Sequence, residues 1–328
     1  MSAFEFSAGL GDVTFPVRPV AAPQTRSVVR RRPNLFVIGA MKSGTTFLSR
    51  LLDAHPSIYI ARPEEPSYFV AQEQLRTLWP GMWDRGYWRS KDAYLRLFEP
   101  GGDAAFLGEA STNYTKIPLA TGVPERIARF AHDPRFIYVM RDPVERSISH
   151  YWHMVRFSGE HRPMLAAMQA DPRFCAVSHY AMQLGPYFAL FGRERVFTLT
   201  YEAMARQPEA TIRRLYAWLG VDPSVALPPG FDAPENATPE IVLRPGLGGV
   251  LHRLRWLSPL RRVIPHVPQA LRTATKRLAS ETVRRRAVDT AEAIAFLRPL
   301  QQRQTEELAA LLGRDFPEWT TLHGSSTA

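Results

Sequence analysis

The stretch that most limits how this chain can fold is Leu35-Phe36-Val37-Ile38-Gly39-Ala40-Met41-Lys42-Ser43-Gly44-Thr45-Thr46-Phe47-Leu48. Its unbroken apolar start reads as a buried strand, and a short loop holding Gly39, Lys42 and Gly44 follows. Phe47, Leu48, Leu51 and Leu52 then recur at helical spacing, so the loop hands the chain directly to a helix. Successive backbone N–H groups in such a loop, with the unpaired N–H groups of the first helical turn, make a pocket for an anion. Glycines at 39 and 44 permit the torsions and the close approach that a side chain would block.

The loop departs from the nucleoside-triphosphate pattern of Gly, four residues, Gly, Lys, then Ser or Thr. The interval from Gly39 to Gly44 is kept, but Thr45 stands at the lysine position and the lysine has moved back to Lys42. A nucleotide kinase with this loop would lose its contact to the β- and γ-phosphates. The string Lys42-Ser43-Gly44-Thr45-Thr46 resembles the 5′-phosphosulfate loop of sulfotransferases that use 3′-phosphoadenosine 5′-phosphosulfate (PAPS). The resemblance implies that Lys42, Ser43, Gly44, Thr45 and Thr46 hold the donor phosphate. It also implies that Lys42 reaches the oxygen bridging that phosphate to the transferred sulfuryl group.

A second buried strand, Phe136–Met140, runs into Arg141-Asp142-Pro143-Val144-Glu145-Arg146-Ser147-Ile148-Ser149-His150-Tyr151. Asp142 suits a helix N-cap and Pro143 the first helical position, so a helix starts at once. Arg141 is thereby left at the carboxyl end of a strand, where open α/β sheets bind ligands. A planar guanidinium and a nearby hydroxyl suit a second phosphate. The string resembles the family's 3′-phosphate motif, with Arg141 and Ser149 as its ligands; Arg146 is expected to pair with a carboxylate or face solvent.

Between the two motifs lies Arg62-Pro63-Glu64-Glu65-Pro66-Ser67-Tyr68-Phe69. An acceptor hydroxyl or amine sheds a proton as it attacks, so a carboxylate near the cradle would serve as general base; chemistry alone leaves Glu64 and Glu65 level. The stretch resembles the Glu-x-x-(Tyr/Phe/His)-Phe signature of heparan-sulfate-type and bacterial sulfotransferases, which selects Glu65 as the base. Gly108-Glu109-Ala110-Ser111-Thr112-Asn113-Tyr114 resembles a further family stretch at the active-site edge. Ala110 stands where heparan-sulfate enzymes carry lysine, which argues against a polysulfated glycan acceptor, and Lys116 replaces it only if the loop folds back. Trp79, Trp83, Tyr87 and Trp88 are expected to close a local core, and His150 with His153 to form a polar helix face.

The alternation of strands and helices predicts an α/β fold, a P-loop-like, mostly parallel sheet flanked by helices in three layers, α/β/α. With 328 residues and 45% hydrophobic content, a single sulfotransferase domain is expected over 34–320. A flexible basic arm is expected over 1–33, and a disordered tail over 321–328. The lone Cys175 reads as a small buried residue. No apolar run reaches membrane-spanning length and the start lacks the order of a secretory leader, so a cytoplasmic protein is expected. Abundant arginine and proline suggest a GC-rich bacterial source.

The net charge of +10 suits an anionic nucleotide, and residues 244–286 carry eleven Lys or Arg against the single acid Glu281. That run is expected to meet an anionic acceptor or surface, and by resemblance to cover the nucleotide, with Arg244 as the residue chosen. No nucleic-acid-binding signature accompanies the charge. The resemblance implies sulfuryl transfer from PAPS to a carbohydrate, lipid or secondary-metabolite acceptor, leaving adenosine 3′,5′-bisphosphate (PAP). No metal is implied, because Lys42 and helix dipoles supply positive charge.

Overall fold

The computed structural model describes residues 31–228, 240–245 and 280–324, apart from the side chains of 241–245 and 280–282. The apolar run forms β1 (Leu35–Gly39), buried along its whole length, and the loop delivers the chain into α1 (Thr45–Asp53). β2 (Ile58–Ile60), α2 (Gln72–Leu78), α3 (Pro80–Arg85), α4 (Lys91–Leu95) and β3 (Phe106–Ala110) follow. Next come α5 (Val123–Phe130), β4 (Arg135–Met140), α6 (Pro143–Ser158), α7 (Met164–Ala170) and α8 (Arg173–Ala176). α9 (Tyr180–Phe191), β5 (Val196–Thr200), α10 (Tyr201–Arg206) and α11 (Pro208–Leu219) complete the domain's main body. The hairpin strands β6 (Ile241–Pro245) and β7 (Ser280–Arg284) precede α12 (Ala291–Leu312) and α13 (Thr320–His323).

The main sheet runs β2-β3-β1-β4-β5 with every pairing parallel. β1 lies between β3 and β4, with Val37 level with Ala110 on one side and Ile137 on the other. Strand order reverses at β1, and open sheets of this kind bind ligands in the crevice beyond the carboxyl ends at that reversal. β1 shows why the sheet needs covering on both faces. Leu35 and Val37 pack with Leu48, Leu51 and Leu52 of α1 and Ile212 and Leu215 of α11. Phe36 and Ile38 point the other way, into a core with Val144, Ile148, Leu184 and Leu297. Burying each such side chain contributes about 1.5–3 kcal/mol, so the two helical layers hold the strands rigid.

Two strand ends and one inward-facing arginine set the local structure. β3 runs on through Glu109, which is fully buried. β5 ends at Thr200, whose hydroxyl accepts from Ala203 N at 3.3 Å and so caps α10. Among the described residues Arg146 pairs with no carboxylate, and it does not face solvent; it is fully buried on the inner face of α6. Its guanidinium donates to Ser178 Oγ and to Phe174 O, so neutral oxygens satisfy it instead.

At the N-terminal side, Arg31 donates to Gly102 O and Ala104 O at 3.0 and 2.8 Å, and Arg32 to Phe130 O at 2.8 Å. The remainder of the basic arm, 1–30, lies outside the described residues. At the other end, the tail expected from 321 gives way to α13. Leu322 is buried there in the hydrophobic core, and its N–H donates to Asp142 Oδ2 at 2.9 Å. Among the described residues no helix is long and apolar enough to cross a membrane.

Candidate active site

The cradle forms where β1 ends. Gly39, Lys42 and Gly44 all take positive φ, at 151°, 70° and 87°. For Lys42 this torsion costs about 1–3 kcal/mol, a cost tolerated where the surroundings over-determine the turn. Ala40 N donates to Val139 O at 2.7 Å and Ser43 N to Ala40 O at 3.2 Å, which pins the loop to β4. A Cβ on Gly44 would come within 3.1 Å of both Met204 Cε and Tyr201 Cδ2. Helix α1 then begins at Gly44 with no side-chain cap, which leaves the start of α1 free to receive an anion. Ser43 is fully buried, and its Oγ has no hydrogen-bond partner among the described residues. An uncapped helix start and an orphaned hydroxyl in one loop fit a bound phosphate.

β4 brings Arg141 to the same edge. The Tyr180 hydroxyl donates to Arg141 O at 2.6 Å and lies 3.2 Å from Arg141 N, so this backbone position is gripped twice. Asp142 Oδ1 caps α6 by accepting from Val144 N and Glu145 N at 3.0 and 3.3 Å. The Asp142 N–H reaches Glu202 Oε1 at 2.9 Å, while Glu202 Oε2 accepts from Trp319 Nε1 at 3.2 Å. Arg141 Nη1 thereby sits 3.5 Å from the carbonyl oxygen of Lys42. The guanidinium singled out for one phosphate thus lies against the loop singled out for the other. Ser149, on α6, is buried.

Cations crowd Lys42, while Arg141 Nη2 lies 3.5 Å from Glu145 Oε2. The Lys42 ammonium is pulled down to about 8, first by burial and then by Arg141, Arg285, Arg156 and Arg146. Arg285 lies just beyond β7, with its guanidinium 5.7 Å from the Trp152 ring centroid. Among the described residues of the basic run, Arg285 is the one set near Lys42 and Arg141. Arg244 stands in β6 opposite Glu281, and its side chain lies outside the described residues.

The carboxylates divide their roles. Glu65 sits at φ 58°, held by its N–H to Ala110 O at 3.0 Å and by Thr112 Oγ1 donating to Oε1 at 2.8 Å. Arg85 from α3 donates to the carbonyls of Glu64 and Glu65. Glu65 Oε2 is buried with no hydrogen-bond partner among the described residues. Glu64 turns the other way and accepts from Thr46 Oγ1 at 2.9 Å; burial raises its carboxyl above the ordinary range, with the Thr46 bond opposing. Thr46 therefore offers the cradle its backbone, its hydroxyl being engaged.

Glu109 lies beneath this loop and accepts from Tyr94, Ser111 and Tyr114 hydroxyls. Burial pushes its carboxyl up to about 7. Ser111 Oγ also accepts from Ser67 N at 3.0 Å, so Glu109 supports the Glu65 loop from below and does not enter the crevice.

The histidine pair differs from the polar face expected. His150 is buried near Arg146, whose Nη1 is 3.5 Å from its Nδ1. His153 is held down at about 4 by burial, then by Lys42, Lys116 and Arg156, so it is neutral at ordinary pH. His153 is one helical turn beyond Ser149, a spacing that places both on one face of α6 and was available in the sequence. Arg285 carried no such signal, being one arginine in a long basic run.

A family model described as the sulfotransferase family matches residues 33–224, from the start of β1 to just past α11. The chain belongs to the sulfotransferase family. The crystal structure of a sulfotransferase from Alicyclobacillus acidocaldarius is 26% identical, with a TM-score of 0.57, and the match covers 88% of this chain and 99% of that one. Membrane-associated sulfotransferase kil1 of Dictyostelium discoideum is 32% identical over 125 residues, 38% of this chain and 24% of the relative. Heparan sulfate glucosamine 3-O-sulfotransferase 6 of Homo sapiens is 26% identical over 269 residues, 78% of this chain and 70% of the relative. The first curated relatives are much longer than the matched part, which spans 24% of one and 47% of the next. The match to the Alicyclobacillus sulfotransferase bears out the mostly parallel sheet between helical layers.

In this chain the Tyr180 hydroxyl is a sensitive point, because it holds both backbone groups of Arg141. Tyr180→Phe removes about 1–2 kcal/mol of buried hydrogen bonding. PAP affinity measured by calorimetry is expected to fall several-fold, with a Tm lower by a few degrees. Unchanged PAP affinity would show that Arg141 needs no such grip.

Proposed function

We propose that this protein transfers a sulfuryl group from PAPS to an acceptor hydroxyl or amine and releases PAP. The observation that carries the reading is the 3.5 Å approach of Arg141 Nη1 to the Lys42 carbonyl. That approach opens two cation-bearing strand ends on one crevice, as a donor with two separate phosphates requires. Lys42 and the start of α1 hold the phosphate next to the transferred group, where Lys42 stabilises the charge that gathers on the bridging oxygen. Arg141, Ser149 and Arg285 hold the second phosphate. Glu65 Oε2 takes the acceptor proton, since it is buried beside the cradle and engaged by no other group among the described residues.

A carbohydrate hydroxyl is the first acceptor to try, because several relatives are named for action on heparan sulfate glucosamine. Ala110 leaves out a lysine that the heparan-sulfate enzymes carry, which favours a glycan of low charge or a neutral metabolite. Sulfur-35-labelled PAPS is incubated with the protein and panels of neutral glycans, polyanionic glycans, lipid extracts and phenols, and products are resolved by mass spectrometry. Labelled product with equimolar PAP is the expected outcome. Tight PAP binding with no label transferred to any acceptor or to water would replace this reading with a nucleotide-binding module. Magnesium-dependent ATP consumption would replace it with a kinase.

A further inference from the structure

Among the described residues, Lys116 is the buried ammonium near this site that the donor-binding reading leaves unused. It follows the short turn Thr112–Thr115 and is only 6% exposed. Its Nζ donates to Asn113 Oδ1 and lies 5.2 Å from the Trp79 ring centroid. Asn113 is fixed in that orientation, because its Nδ2 donates to Ser67 Oγ at 3.1 Å and to Met82 Sδ at 3.0 Å. An ammonium has three N–H donors, and among the described residues one hydrogen bond accounts for one of them. A buried cation left so poorly paired is costly to the fold, which marks it as retained for a ligand.

The group facing it makes the point sharper. Glu65 is near enough for its charge to act on Lys116, yet no ion pair joins the two side chains. Thr112 occupies Glu65 Oε1, and Oε2 is buried and unpartnered among the described residues. A spare donor on Lys116 and a spare acceptor on Glu65 therefore lie near each other. His153 feels the charge of both Lys42 and Lys116, so both lysines stand near it.

We propose that Lys116 is a catalytic residue on the acceptor side, donating a hydrogen bond to the oxygen of an acceptor hydroxyl and selecting hydroxyl over amine acceptors. The proposal rests on the sulfuryl-transfer reading and deepens it. One lone pair of the acceptor oxygen accepts from Lys116, and another forms the new S–O bond. The S–O bond to the donor phosphate breaks, PAP departs, and the acceptor proton passes to Glu65 Oε2. Lys116 gives up no proton in the step and fixes the oxygen so that its free lone pair meets sulfur. A neutral amine has a single lone pair, so accepting from Lys116 leaves none to form a bond to sulfur, and a protonated amine has none and meets the ammonium with like charge in a dry site. Arg146 adds to the positive charge around Lys116, and neutral His153 does not oppose it.

The test uses the full chain with sulfur-35-labelled PAPS. Water serves as one acceptor, read as released inorganic sulfate, and a hydroxyl acceptor from the screen above as the other. Lys116→Met is expected to lower kcat about 10²-fold for both, the loss typical of one preorganised donor. The KM for PAPS and the PAP affinity should stay within about twofold, because the donor site does not use this lysine. Lys116→Arg keeps the cation and should restore at least about a tenth of the rate, which a packing role would not predict. Transfer by Lys116→Met within about threefold of the unaltered protein would overturn the assignment. Parallel loss of PAP binding and transfer in both variants would overturn it too, by making Lys116 a structural residue. An unaltered protein that binds PAP but moves no label to any acceptor or to water would sink the transferase reading, and this assignment with it.

Discussion

Lys42→Ala should lower sulfuryl transfer by about 10³-fold or more and weaken PAP binding about 10- to 100-fold. The two losses have different origins. A hydrogen bond from a charged group to a ligand phosphate contributes about 1.5–3 kcal/mol, which sets the binding loss. The larger loss in rate comes from charge that builds on the bridging oxygen only as the sulfuryl group departs. Arg141, Arg285, Arg156 and Arg146 all act on Lys42, so the crevice keeps positive charge after the substitution and still draws the nucleotide in. Those arginines cannot replace a contact aimed at one oxygen. Equal losses in kcat and in PAP affinity would mean that Lys42 holds the nucleotide without stabilising the transition state.

The same crowding of cations gives donor binding a pH dependence whose sign is fixed. The Lys42 ammonium is lowered to about 8 in the free protein, and bound phosphates push it back up by direct attraction. Binding is then tightest below about pH 8, where the lysine is already charged. Above that value each complex formed must take up a proton, and affinity falls by up to about tenfold per pH unit until the pKa of the complex is reached. His153, held at about 4, is neutral across this interval and the arginines stay charged, so neither mimics the effect.

How far the sequence reaches depends on whether the determining interactions are local. β1 and β4 are legible because an unbroken apolar run needs cover on both faces, and both strands are almost wholly buried. The Arg141 turn is legible because Asp142 and Pro143 carry their capping chemistry in adjacent positions. Arg146 is misread for the opposite reason. Its charge suggests solvent or a carboxylate, yet α6 turns positions 146 and 150 inward against Phe174 and Ser178, which lie far along the chain. Arg285 comes near Lys42 in a segment that β7 pairing with β6 folds back on the domain, a long-range event without a local signature. Lys116 hides within a turn whose path only the Asn113 and Tyr114 contacts reveal.

Glu65→Gln should leave PAP affinity within about twofold and cut transfer about 10²- to 10⁴-fold, the span of a lost general base. The substitution isolates proton transfer. Glutamine keeps the side-chain size and can still accept from Thr112 Oγ1, the bond now made to Oε1 at 2.8 Å. It also keeps the same backbone demand at φ 58°, so strain at that residue does not change with the chemistry. What disappears is an oxygen able to take a proton from an attacking hydroxyl. The neighbouring Glu64→Gln is the control. Glu64 spends Oε2 on Thr46 at 2.9 Å, a bond that the amide oxygen of glutamine can also accept. Its effect on kcat should therefore stay below about tenfold, as for a carboxylate that touches neither acceptor nor sulfur. The reverse ranking, with Glu64→Gln crippled and Glu65→Gln active, would move the base by one residue. It would also require the loop held by Arg85 and Ala110 to turn over before the acceptor binds.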